Sequence, residues 1–191
     1  MLSAKQVQTK ILNALMESVC NMMMYSRYRR YKRYSYYLAY GSNLSVEQMA
    51  LRCPDAEVVG KAMLKGWKLK FKFHATIEPC KGSTVPVLIW KISEDDEKNL
   101  DSYESFPHYY IKQKLKVLMT DLDGEHKKKI TGMVYVMTDG SNESNESMPP
   151  ESYYEIISDG YRSFGFDENI LNDALLEATQ AEQQRMQRME K

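Results

Sequence analysis

Apolar positions recur along this chain with two periods. Near the start, Val7, Ile11, Leu15, Val19 and Met22 return every three or four residues, which predicts a short amphipathic helix. The run Tyr36-Tyr-Leu-Ala-Tyr40 carries no breaker and reads as a buried strand, stopped by Gly41-Ser-Asn43. Ser45-Val-Glu-Gln48 is a capping box, so a helix runs from Ser45 to about Arg52, with Pro54 beyond it. Strands are predicted at Glu57–Met63, Trp67–Phe73 and His74–Glu78, and the uninterrupted β-rich run Val85–Ile92 reads as a central strand. Ser93-Glu-Asp-Asp96 opens a second helix with acids in its first turn; it carries Leu100 and Tyr103 and ends before Pro107. Strands Tyr109–Met119 and Ile130–Met137 flank the turn Asp121-Leu-Asp-Gly124. Thr138–Pro150 has no apolar anchor before Met148 and reads as a loop. A helix is expected over Tyr153–Tyr161. Asp167 then caps a terminal helix with Ile170, Leu171, Ala174, Leu175 and Ala178 on one face. Beyond Thr179 the sequence turns Gln/Arg/Met-rich and is expected to project into solvent.

Strands outnumber helices and lack regular helical crossovers. That order predicts an α+β fold, a small mixed β-barrel flanked by helices, and argues against a doubly wound sheet. The 191 residues, 43% of them hydrophobic, suit one domain with appendages. No apolar run approaches the roughly 18 residues of a membrane span.

Charge divides the chain further. The totals of 26 basic and 26 acidic residues cancel. Yet residues 1–36 hold seven cations against one acid, Glu17, and seven of the fourteen tyrosines lie between Tyr25 and Tyr40. We therefore read 1–35 as a basic extension, 36–178 as the domain and 179–191 as a polar helical tail. The tract Tyr25–Tyr34 interleaves cations with rings. Such a tract can contact nucleic acid or an anionic membrane, and it can equally be a solvated extension or translated sequence upstream of the true start. It has no apolar h-region or cleavage site, so it does not read as a secretory signal. Nothing in the domain itself points to nucleic acid. Cys20, Cys53 and Cys80 form no Cys-x-x-Cys pair, and His74, His108 and His126 form no cluster. We expect no disulfide framework, no metal site and a reducing cytoplasm. The sequence leaves the oligomeric state, a homodimer included, open.

Two segments could carry chemistry. Tyr40-Gly41-Ser42-Asn43-Leu44 joins a buried strand to a capped helix. Glycine permits a sharp turn, and free N–H groups there suit a carboxylate or phosphate. It is not a P-loop, since no Gly-Lys-Ser/Thr follows, and a plain turn is the other reading. The second is Leu100-Asp-Ser-Tyr-Glu104-Ser-Phe-Pro107. Glu104 stands at a helix C-terminus, where the dipole disfavours a carboxylate, and a wall of Tyr103, Phe106, Tyr109 and Tyr110 would raise its pKa further by desolvation. A carboxyl poised near neutrality moves protons both ways. The bland reading is an exposed glutamate in a fraying turn.

These motifs, with Arg52-Cys-Pro54 and Pro149-Pro-x-x-Tyr153-x-x-Ile156 in the same order, resemble the γ-glutamylcyclotransferase family within the AIG2-like superfamily, most of all its bacterial members. The likeness runs from about Tyr36 to Leu176. It implies a small mixed β-barrel and conversion of a γ-glutamyl amine into 5-oxoproline and a free amine, without metal or cofactor. It maps the catalytic acid onto Glu104. It maps substrate contacts onto Tyr40, Gly41, Ser42, Asn43 and Leu44, and onto Tyr110, Tyr135 and Tyr153. The implied partner is a small γ-glutamyl substrate. Two other readings stand beside this one: the same chemistry on a biosynthetic intermediate with another leaving amine, and a non-catalytic module that binds a γ-glutamyl or carboxylate ligand. Three features depart from the family. Ser105 stands where it usually has glycine, so a different backbone is expected there. The stretch Phe71–Glu78 is several residues short near the expected substrate mouth. The basic arm has no counterpart.

Overall fold

The first strand, β1 (Tyr34–Ala39), runs antiparallel to β3 (His74–Ser93), and β3 pairs in turn with β2 (Glu57–Lys72). Strands β4 (Tyr110–Thr120) and β5 (Lys127–Met137) form a second antiparallel hairpin. The five close into a ring-like barrel in the order β1-β3-β2-β4-β5. Each seam rests on one residue pair, Lys61↔Thr120 between β2 and β4 and the parallel pair Tyr37↔Met133 between β1 and β5. Gly60 permits the first, because a Cβ there would lie 2.4 Å from the Thr120 carbonyl oxygen. The architecture is the expected α+β barrel. This computed structural model describes residues 15–20, 22, 33–138 and 146–189.

The chain divides into two units, Met1–Arg33 and Tyr34–Lys191. In the first, residues 15–20 are helical, as the periodicity predicts, and Leu15, Met16 and Val19 are exposed. Most of the Tyr/Arg tract lies outside the described residues. In the second unit β1 begins at Tyr34, two residues earlier than expected. Ser35 donates to Glu97 at 3.2 Å, and Lys91 Nζ lies 4.3 Å from the centre of the Tyr34 ring.

Four predicted strands are in fact two long ones. Register shifts at Val58/Gly60 and Lys65/Trp67 let the β2–β3 ladder continue through residues that resemble breakers. The extra residues bulge out while pairing resumes beyond them. Between Lys72 and His74 the chain reverses through Phe73 alone, at φ 66°. The stretch Phe71–Glu78 is thus a tight hairpin, with Lys72 paired directly to His74. Ser147 joins its base, bridging Lys72 in parallel; the part of the expected loop at 139–145 lies outside the described residues.

Helices α1 (Val46–Arg52), α2 (Glu94–Tyr103), α3 (Glu151–Phe164) and α4 (Glu168–Met189) surround the barrel. The predicted capping box of α1 is half made. Ser45 Oγ accepts from the Gln48 N–H at 3.2 Å, but the Gln48 side-chain oxygen is buried without a hydrogen-bond partner. The α2 box is complete, through Ser93 and Asp96. Helix α3 is longer at both ends than expected, from its Pro150 cap to left-handed Gly165 (φ 64°). The apolar stripe of α4 docks as expected, with Leu171, Ala174 and Ala178 buried. Its tail does not project freely. Glu182 accepts from the Met148 N–H at 3.1 Å, and Arg185 donates to the Glu146 carbonyl at 2.6 Å. The returning segment 146–148 presents backbone polar groups, and these side chains satisfy them. No helix among the described residues is long and apolar enough to cross a membrane.

Candidate active site

The end of β1 is buried, and Gly41 releases the chain into a 3-10 turn, Ser42–Leu44, closed by Leu44 N–H to Gly41 carbonyl at 2.9 Å. The leading N–H groups of such a turn have no acceptor within it. Beneath it, Leu44 packs on α3 at Gly160, where a Cβ would come within 2.5 Å of Leu44 Cβ. That close approach sets α3, and Tyr153 near its start, over the loop.

Asn43 anchors the site. Its carbonyl accepts from Trp90 Nε1 at 3.0 Å. Its side-chain oxygen accepts from Arg52 Nη1 at 2.5 Å. A guanidinium only donates, so the amide must present its oxygen to Arg52 and its NH2 to the other side. The NH2 donates to Tyr37 Oη at 2.8 Å and to Glu104 Oε1 at 2.9 Å.

Glu104 caps the C-terminus of α2, its N–H bonded to the Leu100 carbonyl. Burial pushes its carboxyl up to about 7, against the smaller lowering by the Asn43 hydrogen bond and the Arg52 charge. The expected direction holds, and desolvation is its main cause. Tyr103, Tyr109 and Tyr110 do wall the cavity; Phe106 turns outward, its ring centre 4.7 Å from Lys112 Nζ. Ser105 does not alter the backbone to avoid a left-handed conformation. It adopts one, at φ 49°, and its carbonyl accepts from the N–H groups of His108 and Tyr109.

The remaining predicted tyrosines have fixed hydroxyl directions. Tyr40 donates to the Tyr135 carbonyl at 2.8 Å, Tyr110 to the Ala75 carbonyl at 2.7 Å, and Tyr135 to Asp101 Oδ1 at 2.6 Å. Each therefore offers lone pairs elsewhere. Tyr153 is the reverse: its oxygen accepts from the Ala75 N–H at 3.2 Å, which keeps its proton for another acceptor. Burial raises all four phenols, so they remain neutral.

These groups enclose a cavity of about 330 Å³. It brings together Tyr40, Gly41, Ser42, Asn43, Glu104, Tyr110, Tyr135 and Tyr153; Leu44 lies below the turn instead. Sequence reasoning assigned no role to Tyr37, His74 or Arg52. Tyr37 and His74 line the cavity, and Arg52 stands behind Asn43. Alternation along β1 could have shown Tyr37. His74 is placed by the tight hairpin, bonded to Tyr109 Oη at 2.9 Å and edge-on to Tyr153, and no local signal marks it. Among the described residues no cluster of three or more His, Cys, Asp or Glu side chains could hold a metal ion.

Comparison with known proteins meets this geometry. Residues 37–155 match the family described as gamma-glutamyl cyclotransferase, AIG2-like. Human gamma-glutamylcyclotransferase is 32% identical over 132 residues, which span 62% of this chain and 65% of the human protein. A solved structure of a gamma-glutamyl cyclotransferase superposes with a TM-score of 0.61 at 27% identity, over 74% of this chain and 86% of that one. YkqA from Bacillus subtilis, at 19% identity and a TM-score of 0.59 over 79% of this chain and 56% of that one, shares the fold. The match covers more than half of the chain and takes in both the turn after β1 and the glutamate that ends α2: the chain belongs to the gamma-glutamyl cyclotransferase, AIG2-like family.

Proposed function

We propose that this protein cyclises a γ-glutamyl amine, releasing 5-oxoproline and the free amine, with Glu104 as the single proton carrier. One observation carries the reading: a glutamate poised near neutrality, on the wall of a cavity, hydrogen-bonded to the turn whose N–H groups suit a carboxylate. The family membership and the name of the human relative support it.

The chemistry asks little of the protein. The nucleophile is the substrate's own α-amine, tethered to the γ-carbonyl it attacks, so no serine or cysteine is needed. The substrate α-carboxylate lies against the N–H groups of residues 41–43, with the Tyr153 hydroxyl as a further donor. The α-ammonium faces Glu104 and the phenol lone pairs. Glu104 takes one proton from it, the amine nitrogen bonds to the carbon of the γ-carbonyl, and a tetrahedral intermediate forms whose ring nitrogen still carries two protons. Glu104 hands its proton to the leaving nitrogen, the bond to that nitrogen breaks, and the carboxylate takes the second proton from the ring nitrogen, which in the lactam keeps only one. That second proton passes to the released amine, which departs as an ammonium, so two protons have moved from the α-nitrogen to the leaving nitrogen and Glu104 ends as the carboxylate.

The test is incubation with γ-glutamyl dipeptides and γ-glutamyl alkylamines, with 5-oxoproline measured by mass spectrometry. Release from at least one class is expected. Tight binding without release would leave a ligand-binding module in place of an enzyme.

A further inference from the structure

Asp101 lies on α2 one turn before Glu104 and does not line the cavity, yet it controls a residue that does. Tyr135 Oη donates to Asp101 Oδ1 at 2.6 Å, and Lys112 Nζ donates to Oδ2 at 2.9 Å. Lys112 is held in place by Glu97 at 2.7 Å. Lys112 Nζ stands 2.9 Å from Oδ1 as well, so it straddles the carboxylate while Tyr135 holds Oδ1. A carboxylate only accepts, so the Tyr135 proton is committed to Asp101 and the phenol presents lone pairs to the cavity. Its hydroxyl also lies within the field of the Glu104 carboxylate. On the cyclotransferase reading, that is where the substrate α-amine sits.

The direction of this hydroxyl matters twice. An ammonium needs acceptors. Once Glu104 has removed a proton, the amine must keep its lone pair free to attack the carbonyl. A phenol that accepts from an N–H leaves the lone pair free, whereas a phenol that donates would occupy it.

We infer that Asp101 is a positioning residue: by holding the Tyr135 proton it makes the phenol oxygen an obligate acceptor for the substrate's α-amine. The inference rests on the cyclotransferase reading and adds a residue to it.

Asp101→Asn is the discriminating change. The amide keeps one acceptor oxygen where the carboxylate had two, and Lys112, which can only donate, competes with Tyr135 for it. Where Lys112 holds that oxygen, the phenol accepts from the NH2 and turns its own proton into the cavity. The experiment measures kcat and KM for 5-oxoproline release from a γ-glutamyl amide, using wild type, Asp101→Asn, Tyr135→Phe and the double variant. Calorimetry on the same proteins gives Kd for the matching glutaryl amide, which lacks the α-amine, and melting curves confirm folding. Asp101→Asn should lower kcat/KM about 10- to 100-fold, the range of a hydrogen bond to a charged group. Its loss should exceed that of Tyr135→Phe, because a misdirected donor is worse than none. In the Tyr135→Phe background Asp101→Asn should change little, and glutaryl amide affinity should hold throughout. An equal loss in both backgrounds, or a parallel loss of glutaryl amide binding, would show that Asp101 acts only through the fold and would overturn the proposal. If Asp101→Asn does not fold, Tyr135→Phe alone decides. It keeps Asp101 and Lys112 paired and must lose the preference for the γ-glutamyl over the glutaryl ligand; an unchanged preference overturns the proposal. A wild type that releases no 5-oxoproline from any γ-glutamyl compound would overturn the cyclotransferase reading itself and this inference with it, a result distinct from additive losses in an active enzyme.

Discussion

Glu104 makes the sharpest prediction, because burial has moved its carboxyl from an ordinary 4.5 up to about 7. As the base, it must start ionised. Its ionised fraction is then roughly 90% at pH 8, roughly 10% at pH 6 and roughly 1% at pH 5. The acid limb of kcat/KM should therefore fall about tenfold per unit below pH 7, losing on the order of a hundredfold between pH 8 and pH 5. A glutamate of ordinary pKa would still be mostly ionised at pH 5. Initial rates of 5-oxoproline release at substrate well below KM report this limb directly. A profile that stays flat from pH 8 to pH 5 would refute the claim that this carboxyl is the proton carrier.

The same shift has a consequence for stability, with a definite sign. The folded protein holds the Glu104 proton up to about pH 7, while the unfolded chain releases it near 4.5. Between those values the folded state binds more protons, so stability falls as pH rises through this window. Below it the group costs nothing; above it the full cost is present, on the order of 3 kcal/mol. Glu104→Gln removes that cost, since an amide is neutral at every pH and can still bond to Asn43. The variant should melt well above wild type at pH 8 and close to it at pH 4, while kcat falls about 10²–10⁴-fold. Equal melting temperatures at pH 8 would mean that burial does not penalise the charge, and the poised acid would have no physical basis.

Three further outcomes are expected. A Cβ on Gly41 would lie 3.4 Å from Tyr153 Oη and 3.5 Å from Ala75 Cβ, so the methyls of Gly41→Val must enter the cavity or displace the ring. Affinity for a non-hydrolysable γ-glutamyl analogue should drop at least about tenfold by calorimetry, with unchanged affinity marking the loop as a mere turn. Ser105→Gly relieves a left-handed residue at φ 49°. That relief, roughly 1 kcal/mol, less the added freedom of the unfolded chain, should leave a gain of about 0.5 kcal/mol in urea unfolding; a loss would show that the serine side chain compensates. Removal of residues 1–32 should leave melting and 5-oxoproline release unchanged, and a large drop in either would mean that the extension completes the domain.

The sequence announced features whose cause is local. The Ser93–Asp96 box is written in four adjacent residues, and it forms. Glu104 was legible because its helix had a clear start and a proline beyond its end. The unseen features have causes distant in the chain. Gly66 and the Cys80–Ser83 stretch look like strand ends, and only the register of the partner strand turns them into bulges. Arg52 and Tyr103, 51 residues apart, meet because α1 and α2 lie side by side: Arg52 donates to Tyr103 Oη at 2.7 Å. His74 reaches the cavity because Phe73 accepts a positive φ, a conformation that nothing in its residue type foretells.

Arg52 raises a question of balance that the geometry answers. A cation close to a carboxylate commonly lowers its pKa by one to three units. Direct pairing with Arg52 would hold Glu104 ionised far below neutrality, where it could still accept a proton but would be slow to return one to the leaving amine. The guanidinium is instead engaged on both nitrogens, by Asn43 Oδ1 and by Tyr103 Oη, with its carbon 3.6 Å from the centre of the Tyr103 ring. Asn43 stands between the two charges and reaches Glu104 through its NH2. An amide hydrogen bond favours the carboxylate less than an ion pair would, so burial prevails and the group stays near 7. Arg52 thereby fixes the amide, and the amide fixes the acid, without the charge that does the fixing removing the acid from the range in which it can work.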